Sequence, residues 1–546
     1  MRQHALVVSL LGCLTTWPAA AQVGHDHRHP AGESLGRVHF PVTCASGTQA
    51  AFDKATALLH SFGYEEARQA FGSIAENDPQ CGMAHWGVAM TYYHPLWAAP
   101  TPEELASGTA AARGAARVKA GSAREQRYID AIGTFYARTD TLDHGARADA
   151  YRAVMTTLAA DFPQDDEAQI FHALALLGTA PPHDRAFARQ KQAAEILNRL
   201  LPDHPDHPGI LHYTIHAFDY PELASLALPA ARAYAKVAPS SPHALHMPTH
   251  IFTRLGLWDE SIRSNLDSAA TAKRLVAKRH PGKVSFDAVH ALDYLEYAYL
   301  QQGKDSKARE VLEEVSAASG FDEPNFAAGY ALLAVPARYA LERRDWKAAA
   351  ALEVPPVSLP WDRFSYARGL TYFASSVGAA RSGDLATARR ALTELDRIEA
   401  AVAKAPPPGP YDWAGQVASL RLAAAGWVAF GDGNTEQAVR LLTAAAEKEE
   451  AVGKHPVTPG ALLPAREQLG DLLLEATRPR EALEAYEASL ADAPKRFNSL
   501  VGAAMAAERA GDKTRAAGYY EELVALCGDG CKRPAIEKAQ AFLAAR

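Results

Sequence analysis

A period of 34 residues constrains this chain more than any other feature. Near the C-terminal end Gly470, Ala482, Tyr486 and Pro494 follow one another as glycine, alanine, aromatic and proline, and adding 34 carries Ala482 to Ala516 and Tyr486 to Tyr520. Ala67, Phe71 and Pro79 repeat the spacing of 4 then 8 near the other end, and a glycine stands five residues before an alanine at Gly303/Ala308, Gly383/Ala388, Gly433/Ala438 and Gly511/Ala516. Within such units, stretches such as 461–475 and 480–491 carry apolar residues at three- and four-residue spacing, the pattern of amphipathic helices, and no sustained two-residue alternation is present. One helix pair cannot bury its apolar face alone, so neighbouring pairs must stack. The prediction is an all-α superhelix of stacked antiparallel helix pairs. At 546 residues, against roughly 100–200 per compact domain, an extended stack or several cores is expected.

This punctuation resembles the tetratricopeptide repeat superfamily, whose small residues let two helices approach while the aromatic packs between them. The resemblance covers most of 48–540 and is loose between about 95 and 205. It implies an N-terminal solenoid over 48–320 and a C-terminal solenoid over 321–546. Pro-rich joints at Pro355-Pro356, Pro406 to Pro410 and Pro456 to Pro464 are expected to break or bend the stack.

The first 21 residues read as a signal peptide, with positive Met1-Arg2-Gln3-His4, an apolar run to Trp17 and small residues up to Ala21. A flexible histidine-containing segment is expected over 22–47, its His25, His27 and His29 able to capture metal. No later stretch is long and apolar enough to span a bilayer, so the mature chain is expected to be periplasmic or secreted. Cysteine placement agrees: beyond Cys13 in the signal, Cys44 and Cys81 lie near one end and Cys527 and Cys531 near the other, and an oxidising compartment would close each pair. A net charge of -7 argues against nucleic acid as a partner. There is no P-loop, no Rossmann glycine pattern and no Gly-x-Ser-x-Gly, so no nucleotide or serine-hydrolase chemistry has an anchor.

The one chemical signal is histidine. His212 and His216 stand four apart with Asp219 three residues on, and adding 34 gives His246 and His250, so two consecutive units carry histidine at the same two positions. His243 and His290 share another equivalent position, while Asp293 and Tyr297 occupy the two in the following unit. In the tetratricopeptide family such positions usually face the concave groove. Residues four apart on a helix share a face, and packed helices lie about 8–10 Å apart, a span two imidazoles can bridge through a metal. His212, His216, His246 and His250 are the expected ligands, with Asp219, Asp293 or His290 assisting and His243 and Tyr297 in the groove. Imidazole suits zinc, copper and iron. Pro248, between His246 and His250, is expected to kink the helix and draw that pair apart. Neither pair is His-Glu-x-x-His, so the general base of the zinc metalloproteases is missing. His60, His85, His94 and His172 are read as packed histidines beside the groove.

The blocks His212 to Pro221 and Pro242 to Phe252 resemble those of exported bacterial tetratricopeptide proteins, a resemblance that implies a periplasmic home and no catalytic residue. Two functions follow. A peptide or protein partner binds in the concave groove, or the histidines hold a transition metal for redox or Lewis-acid chemistry.

Overall fold

The computed structural model describes residues 33–96, 99–118, 120–182, 184–405, 411–527 and 531–545. The expected signal peptide, the histidines at 25, 27 and 29, and the expected joint at 406–410 lie outside them.

Helix follows helix along the described residues, and consecutive helices pack as antiparallel pairs. Gln49–His60 lies on Tyr64–Asn77, Ala465–Glu475 on Pro479–Asp492, and Phe497–Arg509 on Lys513–Cys527. Among the described residues the only departure toward sheet is an isolated bridge between Val284 and Phe321. The all-α expectation is therefore met. No described helix is long and apolar enough to cross a membrane.

Local chemistry explains the punctuation. Gly303, Gly383, Gly433 and Gly511 all adopt positive φ between 65° and 89°, the left-handed turn that ends the first helix of a pair and that a side chain would strain. The aromatic of the repeat works as a wedge. Tyr486 is fully buried, and a Cβ added at Gly470 or Gly502 would meet its ring at 2.8 and 2.1 Å, so only glycine lets both helices close on it.

Residues from Ser34 onward form one compact unit. Its apolar cores run from Phe40 to Phe252, from Trp258 to Tyr339 and from Tyr330 to Ala539. The middle core spans residue 320. The described part of the expected flexible segment is packed as well. Phe40 is fully buried against Phe52, Trp86 and Tyr128, and Cys44 is bonded to Cys81, with Cα atoms 4.9 Å apart. Cys527 is bonded to Cys531, with Cα atoms 5.7 Å apart. Both expected cysteine pairs are present.

The C-terminal repeats fold back on the central ones. Trp258 Nε1 donates to the carbonyl of Lys495, and the amide of Phe497 donates to Gln301 Oε1. Buried Arg496 joins Glu467 and Glu342 to the hydroxyl of Tyr297. The proline-rich joint at 453–464 runs across the central helices as a strap: Tyr294 donates to the carbonyl of Thr458 at 2.8 Å, and Lys454 Nζ reaches Asp219 Oδ2 at 2.9 Å. The strap therefore lies against Asp219 and Tyr294, both within hydrogen-bonding distance of His250 Nδ1.

Candidate metal-binding histidine centre

The helix Pro208–Phe218 places His212 and His216 one turn apart on one face. The next repeat starts at Pro242, and Pro248 divides it into the helices Pro242–His246 and Pro248–Arg254. The expected kink exists, yet the pair stays together. Pro248 occupies the first turn of the second helix, where its missing N–H is not needed, and His246 Nε2 lies 3.2 Å from His250 Nε2. The helix Phe286–Gln301 supplies His290.

The six rings fall into two sets of three. His212 Nε2 lies 3.0 Å from His216 Nε2 and 3.0 Å from His243 Nε2. His246, His250 and His290 form the second set, with 4.3 Å between the ring centroids of His246 and His290. In each set one nitrogen per ring lies within 4.8 Å of the others. His243, expected only as a groove residue, completes the first set. Asp293 does not join the centre: it pairs with Arg338, 45 residues on and wholly buried, which also holds Glu296. Tyr297 is buried against Trp258 and Arg496. Asp219 stands behind the rings, its Oδ2 accepting from His250 Nδ1 at 3.0 Å and its Oδ1 from Arg254.

Hydrogen bonding at the far nitrogens decides which ring atoms carry protons. His212 Nδ1 lies 2.6 Å from the carbonyl of His60, which only accepts, so Nδ1 bears the hydrogen and the neutral ring has its lone pair on Nε2. His246 Nδ1 donates to Asn265 Oδ1 at 2.9 Å, and Asn265 Nδ2, bonded to the carbonyl of Ser261, fixes that amide. His250 Nδ1 donates to Asp219. In the neutral state His246 and His250 thus aim two lone pairs at one another across 3.2 Å. This is the arrangement of metal-ligating imidazoles oriented by a carboxylate, an amide or a carbonyl behind them.

A shared proton is disfavoured as the bridging cation. Burial first, and then the neighbouring imidazoles, hold His212, His243 and His246 well below the usual histidine range. Burial pushes His216 and His290 down to about 3, with the charge of His250 adding to it. Burial alone would raise Asp219, but Lys454 and Arg254 outweigh it and hold the carboxyl well below its ordinary value. The site is largely buried, and His212, His246 and His250 are oriented by hydrogen bonds at their far nitrogens.

A third group, His60, Glu167 and His207, is satisfied without an ion: Glu167 accepts from His60 at 2.9 Å and His207 at 3.0 Å, and Tyr213 bonds His60 Nδ1. It fixes the carbonyl that orients His212. His172 bonds Thr156, and His94 packs on Tyr64, as expected of packed histidines.

Beside the strap lies a cavity of about 380 Å³, walled by Tyr220, Tyr330, Tyr411 and Trp413, with Lys454 and His455 at its edge. Its size suits a small molecule rather than a long peptide. Neither the cavity nor Asn265 had a signal in the sequence, because both depend on segments brought together by folding.

Among known families, the tetratricopeptide repeat matches residues 468–530. No curated protein matches the chain at a significant level. Among solved structures the chain is similar to the APC/C hetero-tetramer Cut9-Hcn1, at 13% identity over 92% of this chain and 96% of that one, with a TM-score of 0.29. It is also similar to Naa15/Naa10 bound to HypK-THB, at 12% identity over 91% of each chain, with a TM-score of 0.23. Tetratricopeptide repeats are a protein-interaction scaffold.

Proposed function

We propose that this chain of the tetratricopeptide repeat superfamily is an exported scaffold whose interior holds a transition metal on neutral imidazoles. The observation that carries this reading is the facing pair of bare nitrogens, His246 Nε2 and His250 Nε2, each oriented from behind by a fixed acceptor. Three ligands at about 2 Å from one ion stand about 3.3–3.5 Å apart. The contacts of His212 with His216 and His243 and of His246 with His250, at 3.0 to 3.2 Å, need only a few tenths of an ångström of opening, and the remaining nitrogens of each set lie within 4.8 Å. Three protein ligands leave a coordination position for a further ligand. Export is supported by the two disulfides, which belong to an oxidising compartment.

The test is elemental analysis of untagged protein purified from its native compartment. A stoichiometric transition metal, removed by a chelator and restored on reloading, is expected. Less than about a tenth of an equivalent after reloading would overturn the metal reading.

Partner binding is the second reading, favoured by the repeat match at 468–530. A peptide aimed at the central concave face would compete with the strap at 453–464, so binding there should require the strap to move. Lys454→Met should raise the affinity of such a peptide, and an unchanged affinity would place the partner on another face.

A further inference from the structure

We infer that the centre is a pair of copper sites, with one ion on His212, His216 and His243 and a second on His246, His250 and His290; this rests on the metal reading above. The first support is the repeat itself. Each set takes two rings from the first helix of one repeat and its third ring from the first helix of the next: the pair at 212 and 216 is completed by His243, and the pair at 246 and 250 by His290. The second set is the first one translated by a single repeat. A shared single ion would not call for that duplication.

The closest ring contacts fall within the sets, each set centred on one ring, His212 or His246. Centroids within the sets stand 4.3 to 5.1 Å apart, at His212–His216, His212–His243, His246–His250 and His246–His290. Between the sets, His216 and His250 are separated by 6.3 Å. The nitrogens converge within each set, so there are two centres of convergence. The 6.3 Å between the rings of His216 and His250 sets the two centres side by side.

Charge selects the ion. All six ligands are neutral, and the nearby carboxylate, Asp219, is already engaged by Arg254 and Lys454. Two divalent ions would bring four positive charges into a buried site, whereas copper can enter as the monovalent ion and halve that cost. Copper also heads the affinity order for nitrogen ligands among the divalent ions.

The experiment titrates metal-free full-length protein with cuprous ion under anaerobic conditions and counts copper per chain after desalting. Two equivalents are expected for the wild type. One is expected for His212→Ala/His243→Ala, and one for His246→Ala/His290→Ala. No bound copper in folded wild-type protein would overturn the copper assignment, while the metal reading itself stands or falls on the elemental analysis. One equivalent that either double variant abolishes would overturn the pair and leave a single-ion centre. Because the variants can fail to fold, a second readout uses the wild type alone: after oxidation with ferricyanide, two neighbouring cupric ions should give an electron paramagnetic resonance spectrum broadened by their mutual coupling. Two full spins with the spectrum of isolated ions would overturn the adjacent pair.

Discussion

Lys454 Nζ lies 2.9 Å from Asp219 Oδ2, across 235 positions of the chain. The contact joins the strap to the carboxylate that orients His250, so the C-terminal half of the chain closes over a centre built by the central repeats. Removing one partner of a buried ion pair costs roughly 3–5 kcal/mol where the other charge is left uncompensated. Asp219 keeps Arg254, so Lys454→Met should cost less than that. The expected signs are a lower melting temperature and new proteolytic cleavage within 453–464, read by thermal denaturation and limited proteolysis. A strap that stays as protected as in the wild type would show that its other contacts, Tyr294 to Thr458, Tyr411 to Gly453 and His455 against Trp413, hold it without the ion pair.

Asn265 offers a sharper test of the centre. Its Oδ1 accepts from His246 Nδ1 while its amide is anchored on Ser261, so it sets the tautomer and tilt of His246. Loss of such an orienting group typically weakens metal affinity about 10–100-fold. Asn265→Ala should do so with helix content nearly unchanged, and Asn265→Asp, which keeps an acceptor, should restore most of the affinity. Competition with a chromophoric chelator measures both. Equal affinities in all three proteins would mean that His246 is not a ligand.

Much of the fold was legible because a helical repeat writes its own spacing: the glycines at 303, 383, 433 and 511 and the aromatics at 486 and 520 mark turns and wedges directly. The paired histidines were legible for the same reason, since a translation by 34 preserves position on a helix face. What that arithmetic does not encode is which repeat donates the third ring. His243 and His290 sit at equivalent positions, yet only the stacking of one repeat on the next shows that each completes the set of the repeat before it. Asp293 occupies a position that is histidine in the units before it, but Arg338, on a helix 45 residues later, takes its carboxylate. Nothing local in the proline-rich segment at 453–464 says that it turns inward over the centre, because its partners Asp219 and Tyr294 are far away in sequence.

The bridge between Cys44 and Cys81 ties the extended entry segment to the first repeats, where Phe40 fills the core. A terminal repeat has one neighbour and gains most from such a tie. Cys44→Ala/Cys81→Ala should lower stability by about 2–4 kcal/mol, measured by urea denaturation. Reducing agent should destabilise the wild type and, at this end, leave the variant unchanged. A variant as stable as the oxidised wild type would show that packing around Phe40 suffices.

Glu449 makes stability depend on pH. Burial pushes its carboxyl up to about 8, with the charges of Asp492 and Glu450 adding to the effect and the donated amide of Ala465 and the charge of Arg496 opposing it. In the unfolded chain the same group ionises near 4.3. Between those values the folded protein holds a proton that the unfolded chain has released, so stability falls as pH rises from about 4 and levels off above about 8. Glutamine keeps an oxygen to accept from Ala465 and does not titrate. Glu449→Gln should therefore gain on the wild type as pH rises, with a larger stability advantage at pH 9 than at pH 5, read from urea midpoints at the two values. A gap between variant and wild type that is the same at both would mean that Glu449 ionises in the folded protein as it does in water.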